Sequence, residues 1–193
     1  MSWRKAFRSL LSSGSKPTRK GGRYRNNPKE LNARLLAVLK FLLKFNIFAI
    51  PLYLIILSGY QAEGLITATA DIVEQFLSLT GTSFERTGLI FSVPVDNGNW
   101  GAVINWDCVG WKSLLAIFAL VMATDYPLRK KLKGLAVLLP AVYIANILRI
   151  VFLIWYAATH GIEYFSIVHA VLWSWGLALL ILGSWVLWLK SVR

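Results

Sequence analysis

The chain is poor in the residues that build redox and metal sites. It holds one cysteine, Cys108, among 193 residues. An internal disulfide is therefore excluded, and the redox compartment cannot be read from pairing. Two histidines, His160 and His169, with that single thiol do not make a ligand set at metal spacing, so no metal and no other cofactor is expected. Acid is scarce as well: nine Asp and Glu stand against 21 Lys and Arg, a formal net charge of +12. Such an excess could serve a nucleic-acid binder. Its distribution argues against one, because the basic residues flank apolar runs instead of lining a groove with stacking aromatics.

What the chain does have is apolar length. Hydrophobic residues make up 56% of it and the mean hydropathy is +0.57, beyond an ordinary soluble domain. Nine Trp suit a bilayer, where their rings settle at the headgroup level. The expected fold class is an all-α integral membrane protein: a bundle of about four transmembrane helices with an extracytoplasmic amphipathic helix and β-hairpin. Residues 1–34 read as a basic, Gly- and Pro-interrupted N-terminal arm, attracted to anionic headgroups or simply topogenic. No small-residue cleavage site follows the next apolar run, so the arm does not read as a cleavable signal peptide. Residues 35–193 form the membrane-embedded domain.

The first span is placed at Leu35–Leu57, about 34 Å as a helix, with Lys40 and Lys44 snorkelling and a kink at Pro51. Residues 65–106 follow as the outer segment. Leu65, Thr69, Ile72, Val73, Phe76 and Leu79 recur at helical spacing, with Asp71, Glu74 and Gln75 on another face. Arg86–Val93 and Asn99–Trp106 read as two strands around an Asn97-Gly98 turn. Three further spans are placed at Cys108–Thr124, Gly134–Thr159 and Phe165–Leu189, and Asp125–Lys133 is read as a basic loop. The arm, that loop and the C-terminus hold most of the basic residues, whereas Ser58–Asp107 and His160–Tyr164 hold only Arg86. The positive-inside rule then places both termini in the cytoplasm and the hairpin outside.

On this topology Cys108, Arg149 and His169 fall toward one leaflet. Each has a bland alternative: a lone Cys in an apolar run is usually an inert small hydrophobe, and a His near headgroups can be interfacial, as His160 is read to be. Arg149 is harder to dismiss. It lies roughly 15 Å from the outer end of its span, where a charge costs at least about 2.5–3.5 kcal/mol and so faces protein or water. It either serves function or pairs structurally, with Asn146 one turn earlier. Taken together the three are a thiol activated by positive charge, a proton-transferring imidazole and an oxyanion-binding guanidinium, which points to acyl transfer through a thioester.

The order of Asp107-Cys108-Val109-Gly110-Trp111-Lys112-Ser113 at a span start, Asn146-Ile147-Leu148-Arg149-Ile150 in the next span and His169 some twenty residues on resembles the exosortase/archaeosortase family. Phe76–Gly81, the Gly88-Leu89-Ile90-Phe91 stretch and the Asn-Gly turn are similar too. The resemblance covers about Leu35 to the C-terminus. It implies a membrane cysteine transpeptidase or protease that cuts the C-terminal sorting signal of secreted proteins (a short motif, one spanning helix and a basic cluster) and passes the new C-terminus to a lipid-type acceptor. It further implies Cys108 as nucleophile, Arg149 as oxyanion or thiolate stabiliser and His169 as acid/base, with Asn146, Gly110 and Ser113 supporting or binding substrate. The compact form resembles archaeosortases, while His169 at the third position fits the exosortase pattern. The implied partners are those secreted substrates and membrane lipids, with no nucleic acid. Two other readings stay open: an intramembrane cysteine protease in which water resolves the thioester, and a non-catalytic transport or assembly subunit in which Arg149 binds an anion.

Overall fold

The computed structural model describes residues 28–95 and 98–192. Most of the arm expected at 1–34, and Asp96 and Asn97 of the expected hairpin turn, lie outside the described residues. Residues 28–34 are helical: α1, Pro28–Phe48, starts with Pro in its first turn, where the missing N–H costs nothing. It continues past a break at Ala49 into α2, Ile50–Ser58. The break follows from Pro51, which cannot donate to the carbonyl of Ile47. Along α1 and α2 large apolar side chains are laid bare, Leu43 at 62% and Leu57 at 83% exposed. In water that surface would be prohibitive; in hydrocarbon it is the lipid face.

Helix α3, Glu63–Leu79, is amphipathic, but its buried face is Ile66, Thr69, Ala70, Val73 and Leu77. This corrects the expected stripe, in which only Thr69 and Val73 are buried. Leu65, Phe76 and Leu79 are exposed. An apolar surround lets a helix carry hydrophobes on faces that pack against nothing, so hydropathy alone misplaces the packed face.

The sheet has three antiparallel strands in the order β1-β2-β3: β1 Glu85–Thr87, β2 Ile90–Val95 and β3 Gly98–Val103. The single strand expected at Arg86–Val93 is thus two strands. Gly88 adopts φ +63°, a conformation open to glycine at little cost, and turns the chain so that Thr87 faces Ile90. The other expected strand ends early, because Trp106 belongs to a 3₁₀ turn, Trp106–Val109. Pro94 sits where no ladder donor is required: it faces Asn99, and β1 pairs no further along β2 than Ser92.

Helix α4, Trp111–Ala123, has 13 residues and is about 20 Å long. Helix α5, Leu128–His160, has 33 and is about 50 Å long. The basic stretch read as a loop to Lys133 is therefore mostly the first turns of α5, since Pro127 at the N-cap is followed by good helix formers. Only residues 124–127 connect α4 to α5, and Lys44 of α1 reaches across to an ion pair with Asp125. After α5 come α6, Phe165–Val171, a π-helical turn Leu172–Gly176, and α7, Leu177–Ser191. Among the described residues, Glu30–Ser58 and Leu128–His160 are long and apolar enough to cross a membrane; α4 and α7 are apolar but shorter.

Two cores lie along α5. One joins Ala70, Val73 and Leu77 of α3, Phe91 and Val93 of β2, Ile104 and Val109 with Ile147, Ile150, Ile154 and Ala157 of α5. The other joins Ile117 and Val121 of α4, Leu135, Leu138 and Val142 of α5 and Trp185, Trp188 and Leu189 of α7. Burying a side chain of this size from water is worth about 1.5–3 kcal/mol; where lipid is the alternative, the gain reduces to close packing. Close packing is what the second core has: a Cβ at Gly134 would come within 2.2 Å of the Trp188 indole nitrogen. Beside the first core, charge links β1 to α3. Arg86 of β1 donates to Asp71 at 2.7 Å and to Glu74, one turn apart on α3. The Asp71 hydrogen bond, opposed by partial burial and aided by Glu74, raises the Arg86 pKa above its ordinary value.

Candidate active site

The thiol enters the site on a turn held by two asparagines. Asn105, extended at the head of the 3₁₀ turn, accepts the Cys108 N–H on its side-chain oxygen at 3.2 Å. Asn146 of α5 donates its amide to the Cys108 carbonyl at 2.8 Å and is fully buried, while its side-chain oxygen is buried without a hydrogen-bond partner among the described residues. Gly110 closes the turn at φ +81°. A Cβ there would stand 2.8 Å from the Asn146 amide carbon, so Gly110 is required twice: for its backbone conformation and for the approach of Asn146. Cys108 is half-buried, and its Sγ points at the Val103 carbonyl of β3 at 3.8 Å, a weak contact. The expectation that Cys108 opens a spanning helix is corrected: it precedes α4, on the 3₁₀ turn.

Arg149 lies one turn beyond Asn146 on the same face of α5 and is 8% exposed. His169 is exposed on α6. Its ring stacks on Phe165 at 5.8 Å, and Phe165 in turn packs on Trp100 of β3 at 4.5 Å. The histidine is thus braced against the sheet through two aromatic rings. The π-helical turn begins three residues after it; such turns inside helices recur at functional sites.

These three residues share one cavity. Cys108, Arg149 and His169 line one cavity of about 220 Å³, together with residues 100–104 of β3 and its exit, Ile150, Leu153 and Ile154 of α5, and Phe165. Asn146, Gly110 and Ser113 do not line it. The first two shape the turn that carries the thiol. Ser113 is buried in the first turn of α4, where its N–H bonds the Gly110 carbonyl at 3.0 Å. His160 stays apart, stacked on Tyr156 at 4.9 Å.

Sequence reasoning missed Asn105, Trp100 and Phe165. Asn105 was findable: an Asn three residues before the turn's last donor is a capping signal. Phe165 was findable by its spacing, four residues before His169 on one helix, whereas Trp100 carries no local signal, because it meets Phe165 only through the fold. The cavity offers a soft nucleophile, a fixed cation and a titratable ring inside largely apolar walls, which is the equipment of acyl transfer.

Residues 31–189 match the model of a family described as transmembrane exosortase. No curated protein and no solved structure matches the chain.

Proposed function

Because this chain belongs to the transmembrane exosortase family, and is a membrane protein on that ground, we propose that it is a cysteine transpeptidase that processes the C-terminal sorting signal of secreted proteins. In this reading α4 and α7, with their flanking turns, complete four passes, the basic start of α5 is cytoplasmic, and the cavity opens to the extracytoplasmic face. The observation that carries the reading is the convergence of Cys108, Arg149 and His169, from three separate elements, on one cavity.

The chemistry follows from the side chains. His169 takes the Cys108 proton, and the thiolate attacks the scissile carbonyl, forming a C–S bond as the carbonyl π pair moves to oxygen. Arg149 faces that oxyanion from a poorly hydrated wall, where fixed positive charge is worth far more than in water. Collapse breaks the C–N bond, and His169 returns its proton to the leaving amine. The substrate's membrane helix departs, and a thioester remains on Cys108. A hydroxyl or amine of a lipid-type acceptor then attacks the thioester, giving its proton to His169 and releasing the thiolate. Asn146 and Gly110 act through the turn: they hold the thiol on the cavity wall and do not touch substrate.

The test is a co-expressed secreted protein ending in a short motif, an apolar helix and a basic cluster. Mass spectrometry of its processed C-terminus should find an added lipid-type group. A free carboxylate instead would replace transfer with hydrolysis, and intact substrate in the presence of folded enzyme would contradict the proposal.

A further inference from the structure

The sheet ends on a strand with an open edge beside the thiol. In the order β1-β2-β3, β3 pairs on one side only among the described residues. The Ile104 N–H donates to the Leu89 carbonyl at 2.9 Å, which makes that facing pair a hydrogen-bonded one. Facing pairs alternate along an antiparallel ladder. Ala102, Trp100 and Gly98, opposite Phe91, Val93 and Val95, therefore also bond to β2, whereas Val103, Gly101 and Asn99 turn their N–H and C=O groups to the free side. The Val103 carbonyl is the group that the Cys108 Sγ meets at 3.8 Å. The free edge and the nucleophile thus face each other across one cavity, lined by Trp100, Gly101, Ala102 and Val103 together with Cys108. Gly101 has no side chain to obstruct a neighbouring strand there.

We propose that the substrate docks as an extended strand on this edge. The residues N-terminal to the scissile bond pair with the outward groups of Gly101 and Asn99, so that the carbonyl to be attacked is delivered over Cys108. Backbone pairing of this kind supplies affinity without regard to side chain, and sequence preference then falls to the walls, Trp100, Val103 and Leu153 among them. The inference rests on Cys108 being the nucleophile of the proposed function.

A sequence-neutral probe tests it on the full chain in lipid nanodiscs. Acetyl-Ala-Ala-Ala chloromethyl ketone alkylates a thiolate with loss of chloride, and its labelling of Cys108 is followed by intact mass. Docking on the edge should speed labelling about ten-fold over an analogue N-methylated at an amide that faces β3, since the methyl group removes a donor and also holds the strand off the edge. Methylation at the adjacent amide, facing away, should have little effect. Gly101→Pro deletes an outward N–H that the β2–β3 ladder does not use, and should erase the ten-fold advantage. Gly101→Ala keeps that N–H, and its Cβ meets only the Ile90 side chain at 3.6 Å, ordinary contact, so it should retain the advantage. Chloroacetamide reports on the thiol itself, and the peptide rate of wild type and of each variant is taken relative to its chloroacetamide rate. Equal rates for all peptide analogues, with normal chloroacetamide labelling, overturn edge docking and leave the nucleophile standing. A Cys108 inert to both reagents overturns the nucleophile, and the docking with it.

Discussion

Replacing Gly110 by Ala probes the turn that presents the thiol, and two other glycine positions supply its scale. At Gly64 a new Cβ meets nothing within 4 Å and φ is not positive, so Ala early in α3 should be neutral or stabilise by up to about 1 kcal/mol. At Gly81 the surroundings are again empty but φ is +71°, so Ala should cost only the left-handed backbone term, about 1–2 kcal/mol. Gly110 combines φ +81° with contacts of 2.8 Å to the Asn146 side chain. Asn146 is pinned on a buried face of α5 and cannot retreat without giving up its 2.8 Å bond to the Cys108 carbonyl. To the backbone term are added about 1–3 kcal/mol of overpacking and about 1 kcal/mol for the hydrogen bond. Thermal unfolding in one detergent should rank Gly64→Ala, Gly81→Ala and Gly110→Ala in order of falling stability. Only Gly110→Ala should also slow chloroacetamide labelling of Cys108 and substrate processing per folded molecule. If Gly110→Ala behaves like Gly81→Ala in both assays, the close approach of Asn146 does not position the thiol.

Arg149→Lys should insert and fold but lower processing by about 10²–10³-fold, because an ammonium keeps the charge and loses the planar fork; near-normal rates would assign Arg149 a structural role. Arg86→Ala should cost about 1 kcal/mol or less in thermal unfolding, since its partners Asp71 and Glu74 are 54% and 43% exposed and solvent screens such pairs, and processing should persist. Gly134→Ala drives a Cβ into Trp188 and should destabilise by about 1–3 kcal/mol with processing per folded molecule unchanged, because that contact is in the other core. In a Cys108→Ala background, a membrane-impermeant thiol reagent should reach Glu85→Cys in intact cells and miss Lys133→Cys; the reverse pattern would invert the proposed topology.

Membrane character and family were legible because they rest on features that survive without a fold: long apolar runs, and short motifs in a fixed order. The burial of Arg149 was legible for a related reason, since a charge deep in an apolar run has few places to go. Boundaries were less so. The first turns of α5 carry Arg129, Lys130, Lys131 and Lys133, and charge density there reads as loop although each of those residues favours helix. Gly88 reads as part of one strand because nothing local distinguishes a glycine in a strand from one that reverses it. The packed face of α3 was rotated because lipid rewards the same side chains that protein does. Phe165 stands four residues before His169, a helical spacing, but its contact with Trp100 joins residues far apart in sequence, and no periodicity encodes that.

If Cys108 is the nucleophile, it carries a covalent acyl bond during turnover, and that bond can be isolated. Enzyme co-expressed with its substrate should yield a Cys108 adduct that carries the substrate's N-terminal part, seen by mass spectrometry and released by hydroxylamine as a thioester is. Cys108→Ala should reach the membrane at wild-type level, since Ala fits the half-buried site and the thiol's contact with the Val103 carbonyl is a weak one at 3.8 Å, and it should leave the substrate uncleaved. Undiminished cleavage by Cys108→Ala, with no hydroxylamine-labile adduct on the wild type, would contradict the cysteine mechanism.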